Sequence, residues 1–577
     1  MIDRCATRHR GSWIAGLALS MACQGVIGSA GGEPGEPCSP GPGETPIPGG
    51  VEAFVCDEDA TGSISPSYVL TRPQLSNTLE DLFGASALAS AEVGLSRLAT
   101  EVYDEVTHQR TSTLESAKVS AYHDIARAVA AHVAADDSLL ETVFGACALD
   151  GAPDCIDTFI DGFGPRILRR PLTSSETAFV TMLAERPAPF RDNAEAVLAY
   201  VLQSPFFLWR VELGEPGGEA TSEFSITPYE VATRIAYDLT NSTPDAELLA
   251  SAAEGRLSTR AEVEAQVRRL LQTPRGRRKV VDNIAHWSMS EIAADLSTLP
   301  EALTEGVETE GLSDAMLEEA RQFIDSIVFE QDGTFGDLLR STDSFAEHPG
   351  LATIYGHEPA SGEPAAMGDG RSGILMRAAP LTWTGARTSI IHRGVDFQLR
   401  ILCNQIPEPT VDIAEAREDN ALPEDEAEVT ANRDVIAHLT RSPGCMTCHS
   451  TINPTGFAFE GFDSLGRVRS EEILFDREGN VIGTAPIDTR TAVPLPDGSE
   501  LEVSGAPELI DYVATSPEGN ACFALSIFRY VSERLETPGD GCRIQTIHST
   551  LMSPDQTLLD ALVALLAHES VFQKTVE

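Results

Sequence analysis

The stretch Cys445-Met446-Thr447-Cys448-His449 decides how this chain is read. Two thiols three positions apart can each bond one vinyl group of a single haem, and a histidine directly after the second thiol is placed to ligate the iron. The expectation is haem c held covalently by Cys445 and Cys448, with His449 as the proximal iron ligand. Such a group would make the protein a redox device, with most of the remaining sequence serving as scaffold. Two other readings of the pentapeptide stay open at this point. A CxxC can be half of a zinc site, although no second CxxC or spaced Cys/His pair lies nearby to complete four ligands. It can also be a redox dithiol, which calls for a strand-to-helix turn, whereas Asp434-Val435-Ile436-Ala437-His438-Leu439 upstream reads as helical.

Downstream of the pentapeptide runs Thr451-Ile452-Asn453-Pro454-Thr455-Gly456-Phe457-Ala458-Phe459-Glu460-Gly461-Phe462-Asp463-Ser464-Leu465-Gly466-Arg467-Val468-Arg469. Its proline and glycines predict a tightly bent backbone, and Phe457, Phe459 and Phe462 offer the apolar wall that a haem face requires. Arg467 is the candidate contact for a haem propionate, with Arg469 as a substitute; a surface ion pair is the alternative for either. Next, Thr491–Leu495 and Glu500–Val503 flank Asp497-Gly498, the signature of a β-hairpin. The end returns to helix, with Ser553-Pro554-Asp555-Gln556 expected to cap a run from Leu558 to Leu566. Upstream, the segment from Ile406-Pro407 to about Glu428 is acidic and proline-bearing. It reads as a solvated loop, with calcium binding by convergent carboxylates as the sharper alternative.

Helix signals fill most of what precedes. In Leu70–Gly84 a threonine cap, an early proline, apolar Leu75, Leu79, Leu82 and Phe83 and a closing glycine predict a short amphipathic helix. Thr173 with Glu176, Thr227 with Glu230 and Thr259 with Glu262 fit the capping box. Apolar residues succeed them at helical spacing, as in Val231, Ile235 and Leu239. No dinucleotide-binding glycine pattern, phosphate loop or nucleophile elbow occurs among them. The fold class expected is therefore mainly α, built of several helical bundles with a c-type cytochrome domain and a small β-hairpin.

The N-terminus points outside the cytoplasm. Arg4, Arg8 and Arg10 precede an apolar run from Trp13 to Ala22, the layout of an export signal over residues 1–23. Leu19-Ser20-Met21-Ala22-Cys23 is similar to a lipoprotein cleavage box, apart from Ser20, which makes Cys23 a candidate lipid anchor. An ordinary signal peptide is the alternative. A Pro/Gly-rich linker over residues 24–65 would lift the folded part from its anchor. No later segment reaches transmembrane length. With Cys5 and Cys23 in the signal and Cys445 and Cys448 on haem, seven of the eleven cysteines remain, and Cys38 with Cys56, Cys147 with Cys155 and Cys522 with Cys542 are expected as short-loop disulfides, leaving Cys403 unpaired. With 41 basic against 88 acidic residues the formal charge is −47, which repels nucleic acid and anionic lipid and suits either solubility or a basic redox partner. A chain of 577 residues divides into several domains.

The pentapeptide together with Asn453–Glu460 and Phe462–Arg467 resembles the planctomycete-type cytochrome c domain, also found in myxobacteria. Arg371–Leu375, Thr388-Ser389 and Arg393-Gly394 are similar to the start of that domain. Its companion modules of unknown function are resembled by Leu70–Gly84, by Phe163–Leu172, by Ser204–Leu208 leading into Tyr229–Arg234, and by Glu508 through Arg534. The resemblance implies an exported monohaem protein with helical modules at 66–145, 146–215 and 224–350, a cytochrome domain at 371–470 and a C-terminal module at 500–577. It supplies no substrate. The sixth iron position has four candidates within the cytochrome segment, Met367, Met376, His392 and His438. Electron transfer to or from a partner oxidoreductase is the leading functional expectation. The alternatives are a haem enzyme acting on peroxide, oxygen or an extracellular substrate, and a cell-surface interaction protein with an ancillary haem. The expected location is periplasmic or cell-surface.

Overall fold

Threonine caps begin the helices where the sequence places them. Gln74 N–H donates to Thr71 Oγ1 at 3.2 Å while Thr71 N–H donates to Gln74 Oε1 at 3.1 Å, and the helix Arg72–Phe83 then runs to Gly84, whose φ of +83° suits glycine. The reciprocal bonds recur at Thr173/Glu176, Thr227/Glu230 and Thr259/Glu262, starting helices Ser174–Ala184, Pro228–Thr240 and Arg260–Leu271. Each such cap is worth about 1 kcal/mol. The C-terminal helix Leu558–Leu566 forms as expected, but its cap is Thr557 with Asp560, not Ser553. Thr557 stands directly before the first apolar residue, which is where a cap must sit to reach the first free amides.

The computed structural model describes Cys56 and residues 68–99, 103, 104, 106, 108, 110, 116–152, 154–214, 223–292, 294–407, 409 and 411–575. The expected export signal at 1–23 with Cys23, the expected linker at 24–65 apart from Cys56, and Cys38 lie outside the described residues. About 60% is helical and every sheet among the described residues has only two strands, so the fold is mainly α. No described helix is long and apolar enough to cross a membrane.

One core gathers apolar side chains from Val69 to Phe207 together with Tyr237 of Pro228–Thr240, so the helices of 66–145 and 146–215 pack on a shared interior. A second, larger core draws on residues from Ile226 to Ala567, and Trp287, Phe335 and Phe523 meet within it at ring separations of 4.6–5.7 Å. Buried charge joins its parts. The Arg377 guanidinium pairs with Glu319, both essentially inaccessible, and Glu319 also accepts from the Phe345 N–H at 3.1 Å and the Tyr355 hydroxyl at 3.2 Å.

Four features depart from the expectations. The cysteines pair as Cys56–Cys542, Cys147–Cys155 and Cys403–Cys522, so only the middle bond matches the expected pairing and Cys403 is bonded. The partners of the other two bonds are brought together by tertiary packing across 486 and 119 residues, which no local spacing reveals. The acidic segment is solvated but not a plain loop; it holds the short helices Ile413–Asn420, capped by Asp412, and Glu424–Val429. The backbone after His449 does not bend, because one helix runs from Pro443 through Pro454 to Phe457. The hairpin Thr491–Pro494/Glu500–Val503 is present, and a second one, Glu471–Phe475/Val481–Pro486, precedes it.

Candidate haem-attachment site

The pentapeptide occupies the first two turns of Pro443–Phe457, here called the motif helix, which opens on Ser442 with proline at its first position. Spacings of three and four put Cys445, Cys448 and His449 on neighbouring positions of one helical face. Both thiols are unbonded to other cysteines, Cys448 buried and Cys445 half-buried. The Cys448 Sγ–H donates to the Pro407 carbonyl at 2.9 Å, and burial together with the adjacent Cys445 pushes its pKa up, so it is held as a thiol. The start of the acidic segment therefore lies over the thiol pair.

His449 is set by a chain of hydrogen bonds that its sequence neighbours did not announce. Its Nδ1 lies 2.9 Å from Asn453 Oδ1, one turn along the same helix. Asn453 Nδ2 donates to Thr440 Oγ1 at 2.8 Å, and that hydroxyl donates to the Ile436 carbonyl at 2.8 Å. Because a carbonyl cannot donate, the sequence of donors has one direction. Thr440 must accept from the amide nitrogen, so Asn453 presents its oxygen to the ring, and His449 carries its proton on Nδ1. Nε2 is left as a lone pair. Burial also lowers the pKa of His449. A neutral imidazole with Nδ1–H anchored and Nε2 free is the form that ligates iron, so the donor set fits a haem held by Cys445, Cys448 and His449. The one signal in the sequence was the four-residue spacing of His449 and Asn453.

The motif helix is clamped from two sides. Helix Asn432–Leu439 leads into it and supplies Thr440 at its end. Helix Ile390–Asp396 crosses it antiparallel at backbone contact: a Cβ on Gly394 would stand 2.2 Å from the Ile452 carbonyl oxygen, and one on Gly456 2.1 Å from that of Ile390. This register explains why the helix survives Pro454: the crossing holds both sides of it while the missing amide costs one intrahelical bond. It also orders the site, since Gly456 lies about 10 Å along the axis from His449.

Other expected residues sit elsewhere. Phe459 and Phe462 pack into the large core, Phe459 against Phe397 at 5.3 Å, and Phe457 lies beneath the Arg433 guanidinium at 4.4 Å. They belong to the far end of the motif helix and do not wall its first two turns. Arg467 pairs with Asp463 at 2.8 Å and Arg469 with Glu460 at 3.1 Å, both carboxylates being buried. Met367 and Met376 are buried in packed cores. His392 lies on the crossing helix at the Phe457 end, bonded to Ser389 at 2.6 Å, and His438 contacts Arg441 beside it. Among the described residues no group of three or more His, Cys, Asp or Glu side chains is placed to hold a bare cation.

A helical, disulfide-bonded protein with this motif helix at its centre has the organisation of a multi-module cytochrome c-like chain. Residues 226–357 match the family PSD4, protein of unknown function (DUF1592), and residues 371–472 match PSCyt3, protein of unknown function (DUF1588). Both are planctomycete cytochrome c domain families, and over these two segments the chain is similar to them. No curated protein and no solved structure matches it.

Proposed function

We propose that the chain is an exported monohaem c-type cytochrome that passes electrons to or from a partner oxidoreductase. One observation carries the reading: the two thiols and His449 share a helical face, with the histidine tautomer set by Asn453 so that Nε2 is free. A haem bound there would supply a one-electron carrier whose potential the protein tunes. The chain's own residues would do the rest. Cys445 and Cys448 would hold the ring, His449 would bind one face of the iron, and Asn453 with Thr440 would keep the imidazole proton on Nδ1. Pro407, over Cys448, would limit water at one edge. Export would bring the chain to a compartment where the three disulfides among the described residues persist.

Absorption spectra of the purified protein, oxidised and reduced, test this reading. A low-spin haem unmoved by cyanide or carbon monoxide supports electron transfer. Ready binding of either ligand favours the enzyme alternative with an open iron position.

A further inference from the structure

Between the edge of the first core and the C-terminal helices lies a small cavity of about 30 Å³ lined mostly by ionised side chains. Tyr68 and Arg210, from the paired strands Tyr68–Val69 and Trp209–Arg210, border it on one side. Arg234 and Asp238 of helix Pro228–Thr240 border it on a second, and Arg534 and Arg543 on a third. A charge withdrawn from water in this way is costly unless a partner compensates it.

Three of the four guanidinium groups around the cavity have such a partner. Arg210 pairs with Asp238, Arg234 with Glu212 at 2.6 Å, and Arg534 with both oxygens of Asp540 at 2.7 and 2.8 Å. Arg543 does not. It stands on helix Gly541–Leu551, only 6% exposed, and its Nε donates to the Leu565 carbonyl at 2.6 Å. Neither of its Nη atoms has a hydrogen-bond or ion-pair partner among the described residues. The charges that act on it offset one another, with Asp540 and Asp238 against Arg234 and Arg534. Burial accordingly lowers the pKa of Arg543 to about 10, which still leaves the group charged at neutral pH. Burial acts on Arg210 and Arg534 as well, but their carboxylates more than restore them. The Ser532 hydroxyl, on the same wall as Arg543, has no partner among the described residues and supplies a further donor.

We propose that this cavity holds one chloride ion, bound by the Arg543 guanidinium and the Ser532 hydroxyl. One water needs about 10–15 Å³ of such space, so a single halide fits and sulfate or phosphate is excluded by size. A water molecule there would accept the hydrogen bonds but leave the Arg543 charge uncompensated. The ion would tie the edge of the first core to the C-terminal helices, next in sequence to the Cys56–Cys542 bond. None of its binding groups belongs to the haem-attachment site.

The test is thermal unfolding of the purified chain at neutral pH as sodium chloride or bromide replaces sodium gluconate at constant ionic strength, together with anomalous diffraction from crystals soaked in bromide. The melting temperature should rise saturably with either halide, because gluconate is too large for the cavity and only the folded chain offers the site. One bromide should appear at the Arg543 guanidinium. Arg543→Met, which removes a buried charge and strands no carboxylate, should weaken the halide response about tenfold or more, as expected for a lost charged hydrogen bond. Arg543→Lys keeps the charge and should lose less. The bromide map needs no variant and decides the question if Arg543→Met does not fold. A melting temperature indifferent to the exchange, a cavity without bromide in the soaked crystals, or an undiminished halide response in Arg543→Met would overturn the proposal.

Discussion

Replacing Thr440 by valine removes one hydroxyl at nearly constant volume and cuts the hydrogen-bond chain behind His449. Thr440 and Asn453 are only 3% and 5% exposed, and the hydroxyl accepts the Asn453 amide at 2.8 Å. The Ile436 carbonyl keeps its helical bond from the Thr440 N–H at 3.1 Å, so the group left stranded is the Asn453 amide. A buried unpaired donor costs about 1–3 kcal/mol. That cost is comparable to the preference fixing the amide orientation, so the amide gains freedom to turn and present its NH₂ to His449. The imidazole proton then moves to Nε2, the position required for iron. Asn453→Asp acts in the opposite sense: it keeps an acceptor on Nδ1–H and strengthens it. In urea denaturation at neutral pH, Thr440→Val should lose about 1–3 kcal/mol. Potentiometry on the haem-loaded chain should then separate the two variants, with Asn453→Asp more negative than wild type because a more basic imidazole favours oxidised iron. If Thr440→Val matches wild type in stability and Asn453→Asp leaves the potential unmoved, the hydrogen-bond chain does not orient His449 and the reasoning fails.

Packing and charge set three further outcomes. Gly394→Ala sets a methyl 2.2 Å from the Ile452 carbonyl oxygen, so the two helices must part; thermal unfolding should register a loss of about 1–3 kcal/mol, while Gly255→Ala, with open space around it but a φ of +71°, should show a backbone effect alone. Glu319→Ala strands the buried Arg377 guanidinium and should cost about 3–5 kcal/mol in the same assay; the joint Glu319→Leu, Arg377→Met variant should recover only part of that, because the Phe345 N–H and the Tyr355 hydroxyl still lose their acceptor. Burial holds His568 at a pKa of about 4, below the ~6.5 of an unfolded histidine. The unfolded chain therefore takes that proton first, and stability present above pH ~6.5 is withdrawn as pH falls toward 4; His568→Gln should flatten that part of a pH series of melting temperatures.

Where local chemistry decides structure, the sequence was legible. Threonine and glutamate three apart fixed the starts of Ser174–Ala184, Pro228–Thr240 and Arg260–Leu271, and Asp497-Gly498 fixed a hairpin turn. Where distant segments decide it, local reading failed. Cys403 meets Cys522 and Cys56 meets Cys542 across 119 and 486 residues, pairings that tertiary packing sets and local spacing does not reveal, and loop closure barely depends on such lengths. Pro454 reads as a break until Gly394 and Gly456 are seen to lock the helix on either side of it. The turn at 476–479 that forms the Glu471–Phe475/Val481–Pro486 hairpin went unread because acidic residues there resemble plain solvated loop. Within the site, Cys445, Cys448 and His449 were legible from spacing. Asn453 was not, since its role depends on Thr440, which another helix brings into place.

The most direct test of the haem assignment is the intact mass of the purified chain beside that of a Cys445→Ala, Cys448→Ala variant. The account expects one covalently bound haem on the wild type, mapping to the peptide that contains Cys445 and Cys448, and none on the variant. A wild-type mass without that increment, or covalent haem retained by the variant, would contradict it.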